Sequence, residues 1–208
     1  MNPFRIINKY HKLSSQEYLI LVTHSVLVAN KALVIARELK NNPKKAALGA
    51  KLGLFKKQEA RNLSFDFVYE AAALHDIGFG FSKIDKLAMP KEILNCYMAH
   101  GWWGSEILKK EGLKRHARVA LSHIGVGLTK KEIEKEKWPI PAEDYFPENL
   151  EEMIISYADL FFSKSFKQGK VWELFFEETK DEIKREIKGY GDADLKLKIF
   201  EKWDKVLG

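Results

Sequence analysis

With 208 residues, 46% of them hydrophobic, the chain can bury one sizeable core and reads as a single globular unit, which excludes disordered and fibrous classes. Its one cysteine, Cys96, excludes an internal disulfide and a thiolate metal cluster, so any metal must be held by histidine and carboxylate in a reducing, cytoplasmic setting. The formal charge of +6 is unevenly placed: residues 37–61 hold eight Lys or Arg against two Glu, whereas residues 164–205 hold eleven basic and ten acidic side chains and read as a solvated surface.

The first ten residues, MNPFRIINKY, lack the apolar core of a signal peptide. The most apolar stretch, residues 18–29, is interrupted by Thr23, His24 and Ser25 and is too short for a bilayer, so no membrane is expected. Ser14 or Ser15 caps a helix that runs to about Leu39, with Leu19, Val22, Val26, Ala29, Leu33 and Ala36 as its core face. His24 lies off that row but among apolar helical neighbours, where an imidazole needs a partner. Asn42-Pro43 breaks the helix, and residues 44–62 allow a short amphipathic one.

Ser64 caps the next helix, which carries Phe65, Val68 and Ala72 on one face and delivers the adjacent pair His75 and Asp76 before Gly78 and Gly80 end it. Two neighbouring side chains on a helix diverge by about 100°, so they can meet at one ion only where the backbone is changing direction. The loop that follows holds Lys83, whose ammonium suits a non-bridging phosphate oxygen. Pro90 opens a helix that continues to His100, and residues 113–124 form one carrying His123. His116 sits among Lys114, Arg115 and Arg118 and reads as exposed. His11 has no ligand context.

Thr129 precedes a charged surface helix over residues 130–137, and the prolines at 139, 141 and 147 mark an irregular connection. Asn149 caps a helix that buries Met153, Ile154 and Tyr157 and presents Asp159 ahead of Phe161 and Phe162, where an ionised carboxylate is costly unless a cation is near. Two amphipathic helices close the chain, about 171–188 and 193–207, the second capped by Asp192. No stretch has a strand period of useful length, so the fold reads as all-α.

The order His24, His75-Asp76, His100, His123, Asp159, with LHDIG at residues 74–78, resembles the HD-domain superfamily of metal-dependent phosphohydrolases. The runs SHIGVGLTKKEIE and DYFPENLEEMIISYADL are similar to a small prokaryotic subgroup of it. The resemblance covers roughly residues 19–163 and implies a helical bundle; the domain is expected to span residues 1–168, with 169–208, outside the resemblance, as a helical extension packing on the same domain. It implies one or two divalent ions, of Mn, Mg, Fe, Ni or Zn, with His24, His75, Asp76 and Asp159 holding the first. Asp76 would bridge to a second ion completed by His100 and His123, with Lys83 binding phosphate. Asp76 and Lys83 are thus the expected catalytic residues, and Phe79 stands where several relatives have Lys or Arg.

The expected activity is hydrolysis of a small phosphomonoester or phosphodiester, nucleotide-like, by water activated at the metal. Two alternatives remain: a diiron oxygenase of the same fold, with a similar ligand set, and a non-catalytic nucleotide- or nucleic-acid-binding module using the basic segment at 37–61.

Overall fold

The computed structural model describes residues 1–79, 96–165, 167–188 and 190–208. In chain order the helices are α1 (Pro3–Tyr10), α2 (Gln16–Asn41), α3 (Pro43–Lys51), α4 (Lys57–Arg61), α5 (Phe65–Leu74), α6 (His100–Lys110), α7 (Lys114–Ser122), α8 (Lys130–Glu136) and α9 (Leu150–Asp159). An antiparallel hairpin follows, β1 (Phe162–Ser165) with β2 (Lys170–Glu173), pairing Phe162 with Glu173 and Lys164 with Val171. Helices α10 (Phe176–Ile187) and α11 (Ala193–Leu207) end the chain. Among the described residues the protein is a helical bundle carrying one short two-stranded sheet.

The capping residues set most boundaries. Ser15 accepts from the Tyr18 N–H, Ser64 from Phe67, Asn149 from Glu152 and Asp192 from Leu195, each satisfying an N–H that has no intrahelical partner. Asn42 ends α2 and caps α3, with Pro43 in its first turn.

Central helix α2 packs chiefly against α5 and α9. Its buried face is Ile20, Leu21, His24, Ser25, Val28, Ala29, Ala32, Ile35, Ala36 and Leu39, whereas Leu19 is exposed. This corrects the expected row. A helix apolar nearly all round gives its periodicity little power to choose a face, and the burial of His24 decides it. By length and composition α2 could cross a bilayer, but half of its most apolar stretch is buried inside the fold.

One core joins α2, α5 and α9 to the chain's last helices. Phe200 of α11 is fully buried, stacked with Tyr157 and Phe176 and tilted against Phe161. A second core, of Ile7, Leu21, Leu74, Ile77, Trp103, Ile107, Leu108, Ala117 and Ala120, ties α1 and α2 to α5, α6 and α7.

Several further expectations are corrected. The helix expected from Pro90 lies outside the described residues up to residue 95; its end is a 3-10 turn over Tyr97–Ala99 that His100 caps while opening α6, with Gly101 and Gly104 inside α6, where Gly104 allows the backbone after α5 to press close. His116 is buried at 8% exposure, its ring edge-on to Phe67 and its Nε2 3.5 Å from Glu70. The helix expected from residue 171 starts at Phe176, because residues 170–173 pair with β1. These strands are four residues long and partly exposed, too short and too charged to show a period of two, and Gly169 turns between them at φ +65°. At the starts of the closing helices Phe175 and Leu195 are exposed, although both are apolar.

Candidate metal centre

Five elements bring His24, His75, Asp76, His100, His123 and Asp159 together. His24 projects from the middle of α2, and His75 is the C-cap of α5, with Asp76 in the turn beyond. His100 opens α6, His123 caps the end of α7 and Asp159 is the last residue of α9. The turn after α5 can lie so close because residue 78 is glycine: a Cβ there would stand 2.0 Å from the His100 carbonyl oxygen and 2.4 Å from the Gly104 nitrogen. This contact sets His100 beside Asp76. The four imidazoles and Asp76 are at most 4% exposed, and the Asp159 side chain is 15% exposed.

The donor atoms form two groups that share Asp76. On one side His24 Nε2 lies 2.8 Å from Asp159 Oδ1, 3.3 Å from His75 Nε2 and 3.3 Å from Asp76 Oδ2. His75 Nε2 is 3.2 Å from Asp159 Oδ1 and 3.6 Å from Asp76 Oδ2. On the other, Asp76 Oδ1 lies 3.2 Å from His100 Nε2 and 3.3 Å from His123 Nε2, themselves 3.0 Å apart.

Proton placement decides what these contacts are. His75 Nδ1 donates to the Ala72 carbonyl at 2.6 Å, His100 Nδ1 to Tyr97 at 2.5 Å and His123 Nδ1 to Ala120 at 2.8 Å. At His75 and His123 the acceptors are carbonyls in the last turn of a helix, which lack intrahelical partners. With Nδ1 carrying the proton, a neutral ring turns a bare Nε2 lone pair toward carboxylate oxygens and other Nε2 atoms. Consistently, buried Asp76 Oδ1 has no hydrogen-bond partner of good geometry among the described residues. Lone pairs facing one another in a buried site repel unless a cation stands among them. The separations also suit one: donors about 2.1 Å from a tetrahedral ion lie about 3.4 Å apart.

The electrostatics point the same way. Burial opposes ionisation of Asp76, but Lys164 and His75 outweigh it and hold its carboxyl well below the usual range. Asp159 is likewise held low, burial being outweighed by positive charge at His75 and by hydrogen bonding to His24. In the metal-free chain Asp76 and Asp159 outweigh burial and raise the His75 pKa, so a proton on that ring is the alternative to an ion between the carboxylates. The carboxylates call for positive charge where the imidazoles converge.

Sequence reasoning missed Lys164. Borne on β1, its ammonium contacts Asp76 Oδ2, stands 3.1 Å from His24 Nε2 and lies 5.5 Å from the centre of the Phe79 ring. Its place in a charge-balanced run hid it, and the only available signal was its position five residues after Asp159. Lys83 lies outside the described residues.

Beside the centre is a cavity of about 370 Å³, within the range of small-molecule sites. His100, His123, Asp159 and Lys164 form its inner wall, and Tyr97 and Glu186 also line it.

The family model of the HD domain matches residues 21–162, more than half of the chain, and the chain belongs to the HD-domain family. Over 61 residues it is 41% identical to a tRNA (cytidine(56)-2'-O)-methyltransferase of Picrophilus torridus, covering 29% of this chain and 17% of that one. Over 103 residues it is 31% identical to the Thermoplasma volcanium protein of the same name, covering 49% and 26%. An uncharacterised Methanocaldococcus jannaschii protein is 43% identical over 61 residues, 29% of this chain and 35% of that one. The chain thus spans well under half the length of these curated relatives. Among solved structures, the HD domain of the L. monocytogenes phosphodiesterase PgpH is 17% identical, with a TM-score of 0.44 over 99% of this chain and 95% of that one. The same domain in complex with cyclic-di-AMP is 20% identical, with a TM-score of 0.43 over 100% and 95%.

Proposed function

We propose that the chain is a metal-dependent phosphohydrolase acting on a small phosphomonoester or phosphodiester, nucleotide-like in its organic part. The observation that carries this reading is the buried convergence of four imidazole Nε2 atoms on Asp76 and Asp159, with the ring protons of His75, His100 and His123 committed to backbone carbonyls. His24, His75, Asp159 and Asp76 Oδ2 would hold one divalent ion, and Asp76 Oδ1, His100 and His123 a second. A divalent pair supplies Lewis acidity at phosphorus and lowers the pKa of a water it holds from about 16 toward about 7.

The chain's own residues do the rest. Asp76, with one oxygen on each side, offsets repulsion between two cations. The carbonyls of Ala72, Tyr97 and Ala120 fix the imidazole tautomers and orientations, as the outer partners of metal-bound histidines do. Burial of the donors keeps bulk water from the reacting phosphate. Lys164, on the inner cavity wall, sets an ammonium beside that phosphate, the role expected of Lys83. The cavity receives the organic part, where the Tyr97 ring offers a face to a nucleobase.

Methyl transfer is not proposed, because the matched stretches cover only 17% and 26% of the methyltransferases. Nor is the basic segment favoured as a nucleic-acid surface: Lys40 donates to the Leu63 carbonyl, and Lys45 pairs with Glu38 and the Gly208 carbonyl.

The test is anaerobic hydrolysis of a panel of phosphorylated nucleotides and model diesters by protein loaded with Mn²⁺ or Mg²⁺. Release of phosphate or of a monoester by the wild type, and none by Asp76→Asn, is expected. Copurified iron with oxygen-dependent substrate loss would replace this reading by the diiron oxygenase.

A further inference from the structure

The two halves of the centre differ in one respect. On the half built from His24, His75, Asp159 and Asp76 Oδ2 a cation of the chain's own is already present: the Lys164 ammonium is in contact with Asp76 Oδ2 and 3.1 Å from His24 Nε2. On the other half, Asp76 Oδ1 faces the two imidazoles of His100 and His123. An imidazole nitrogen has one lone pair and a carboxylate oxygen two, so an ammonium and a divalent ion compete for the same acceptors. The Lys164 side chain is 9% exposed, held on a strand whose pairing with Val171 fixes its direction. It is built into the site.

We propose that Lys164 is an internal competitor of metal: its ammonium takes the place of a divalent cation on the His24, His75 and Asp159 half, which is therefore the weaker of two metal sites and fills only when Lys164 withdraws. The inference rests on reading the six donors as a metal centre. It adds that this centre loads in two unequal steps and that a residue outside the donor set controls the second. The withdrawing ammonium has somewhere to go, because Lys164 also lines the cavity. There a phosphoryl oxygen of the substrate offers it a second anion, so substrate arrival and occupation of the weaker site favour each other.

Titration of the metal-free full chain with Mn²⁺, followed by calorimetry and by metal analysis after dialysis, tests this without any substrate. The wild type is expected to show two classes of site per chain, and Lys164→Met to tighten the weaker at least tenfold while the stronger keeps its affinity. His75→Ala in the Lys164→Met background should abolish the tightened site. Lys164→Arg retains the charge and should resemble the wild type. A second readout uses the unaltered protein: amine-directed labelling read by mass spectrometry should modify Lys164 faster once Mn²⁺ saturates both sites.

Unchanged or weakened Mn²⁺ binding in Lys164→Met, or labelling of Lys164 that does not respond to Mn²⁺, would overturn the proposal and leave the metal-centre reading standing. A wild type that binds no Mn²⁺, with or without Lys164, would overturn both.

Discussion

Two buried lysine–carboxylate pairs in this fold look alike in residue type and differ in everything that matters for function. Lys196 of α11 donates to the Gly127 carbonyl at 2.8 Å and to Glu132 at 2.8 and 3.0 Å. Glu132 in turn accepts from the Thr129 N–H at 2.7 Å. Every partner there is a proper donor or acceptor, and the pair clamps α11 to α8 and the loop before it. Lys164 meets Asp76 among four imidazoles, where most of the near neighbours of Asp76 are bare lone pairs. Burial lowers the pKa of Lys196 despite Glu132. The same burial is overcome at Lys164 by Asp76, Tyr97 and Asp159, and the pKa rises. A satisfied buried pair holds structure together; a cluster of unshared acceptors is one that could hold a cation.

The sharpest way to break this comparison is to remove a charge from each cluster. Asp76→Asn should reduce hydrolysis to background and abolish Mn²⁺ retention while leaving the helical circular dichroism intact; activity assays and metal analysis read this. Glu132→Gln should do the reverse. Stripping the counter-charge from buried Lys196 costs about 3–5 kcal/mol, read as a fall in denaturant midpoint, with Mn²⁺ affinity unchanged.

Gly78→Ala probes how the two meet the scaffold. Its Cβ would collide with α6 backbone, which cannot rotate away as a side chain can. A loss of about 3 kcal/mol or more is expected, together with weaker Mn²⁺ binding because His100 is displaced.

His116 sharpens the comparison most gently, since it is buried yet outside both clusters. Burial, Arg115 and the N-terminal ammonium lower its pKa from 6.5 to about 4, while Glu70 is the carboxylate nearest to it. Above pH 6.5 the ring is neutral in both folded and unfolded chains, and its contribution is complete. As pH falls from 6.5 toward 4, the unfolded chain takes up a proton that the folded one refuses, so stability drops by about 1–3 kcal/mol. Denaturation curves of His116→Gln across that range should be flatter than those of the wild type.

Much of this architecture was legible in the residues because local chemistry determined it. Ser15, Ser64, Asn149 and Asp192 cap helices where their side chains can reach free N–H groups. The six polar side chains stood out because each sat among apolar or small neighbours and needed a partner. What stayed hidden depended on distant contacts. The buried face of α2 is chosen by what α5 and α9 present to it, and the helical start at His100 by close approach to Gly78. The hairpin carrying Lys164 is too short to leave a period, so the ammonium in contact with Asp76 reads as surface in the sequence.

The most direct measurement is anomalous diffraction from crystals of the protein soaked in Mn²⁺. The account predicts a peak enclosed by His75, Asp76 and their imidazole partners, with the stronger density on the His100 and His123 side. Density absent from this cluster at saturating Mn²⁺, with the donors instead hydrogen-bonded to one another, would contradict it.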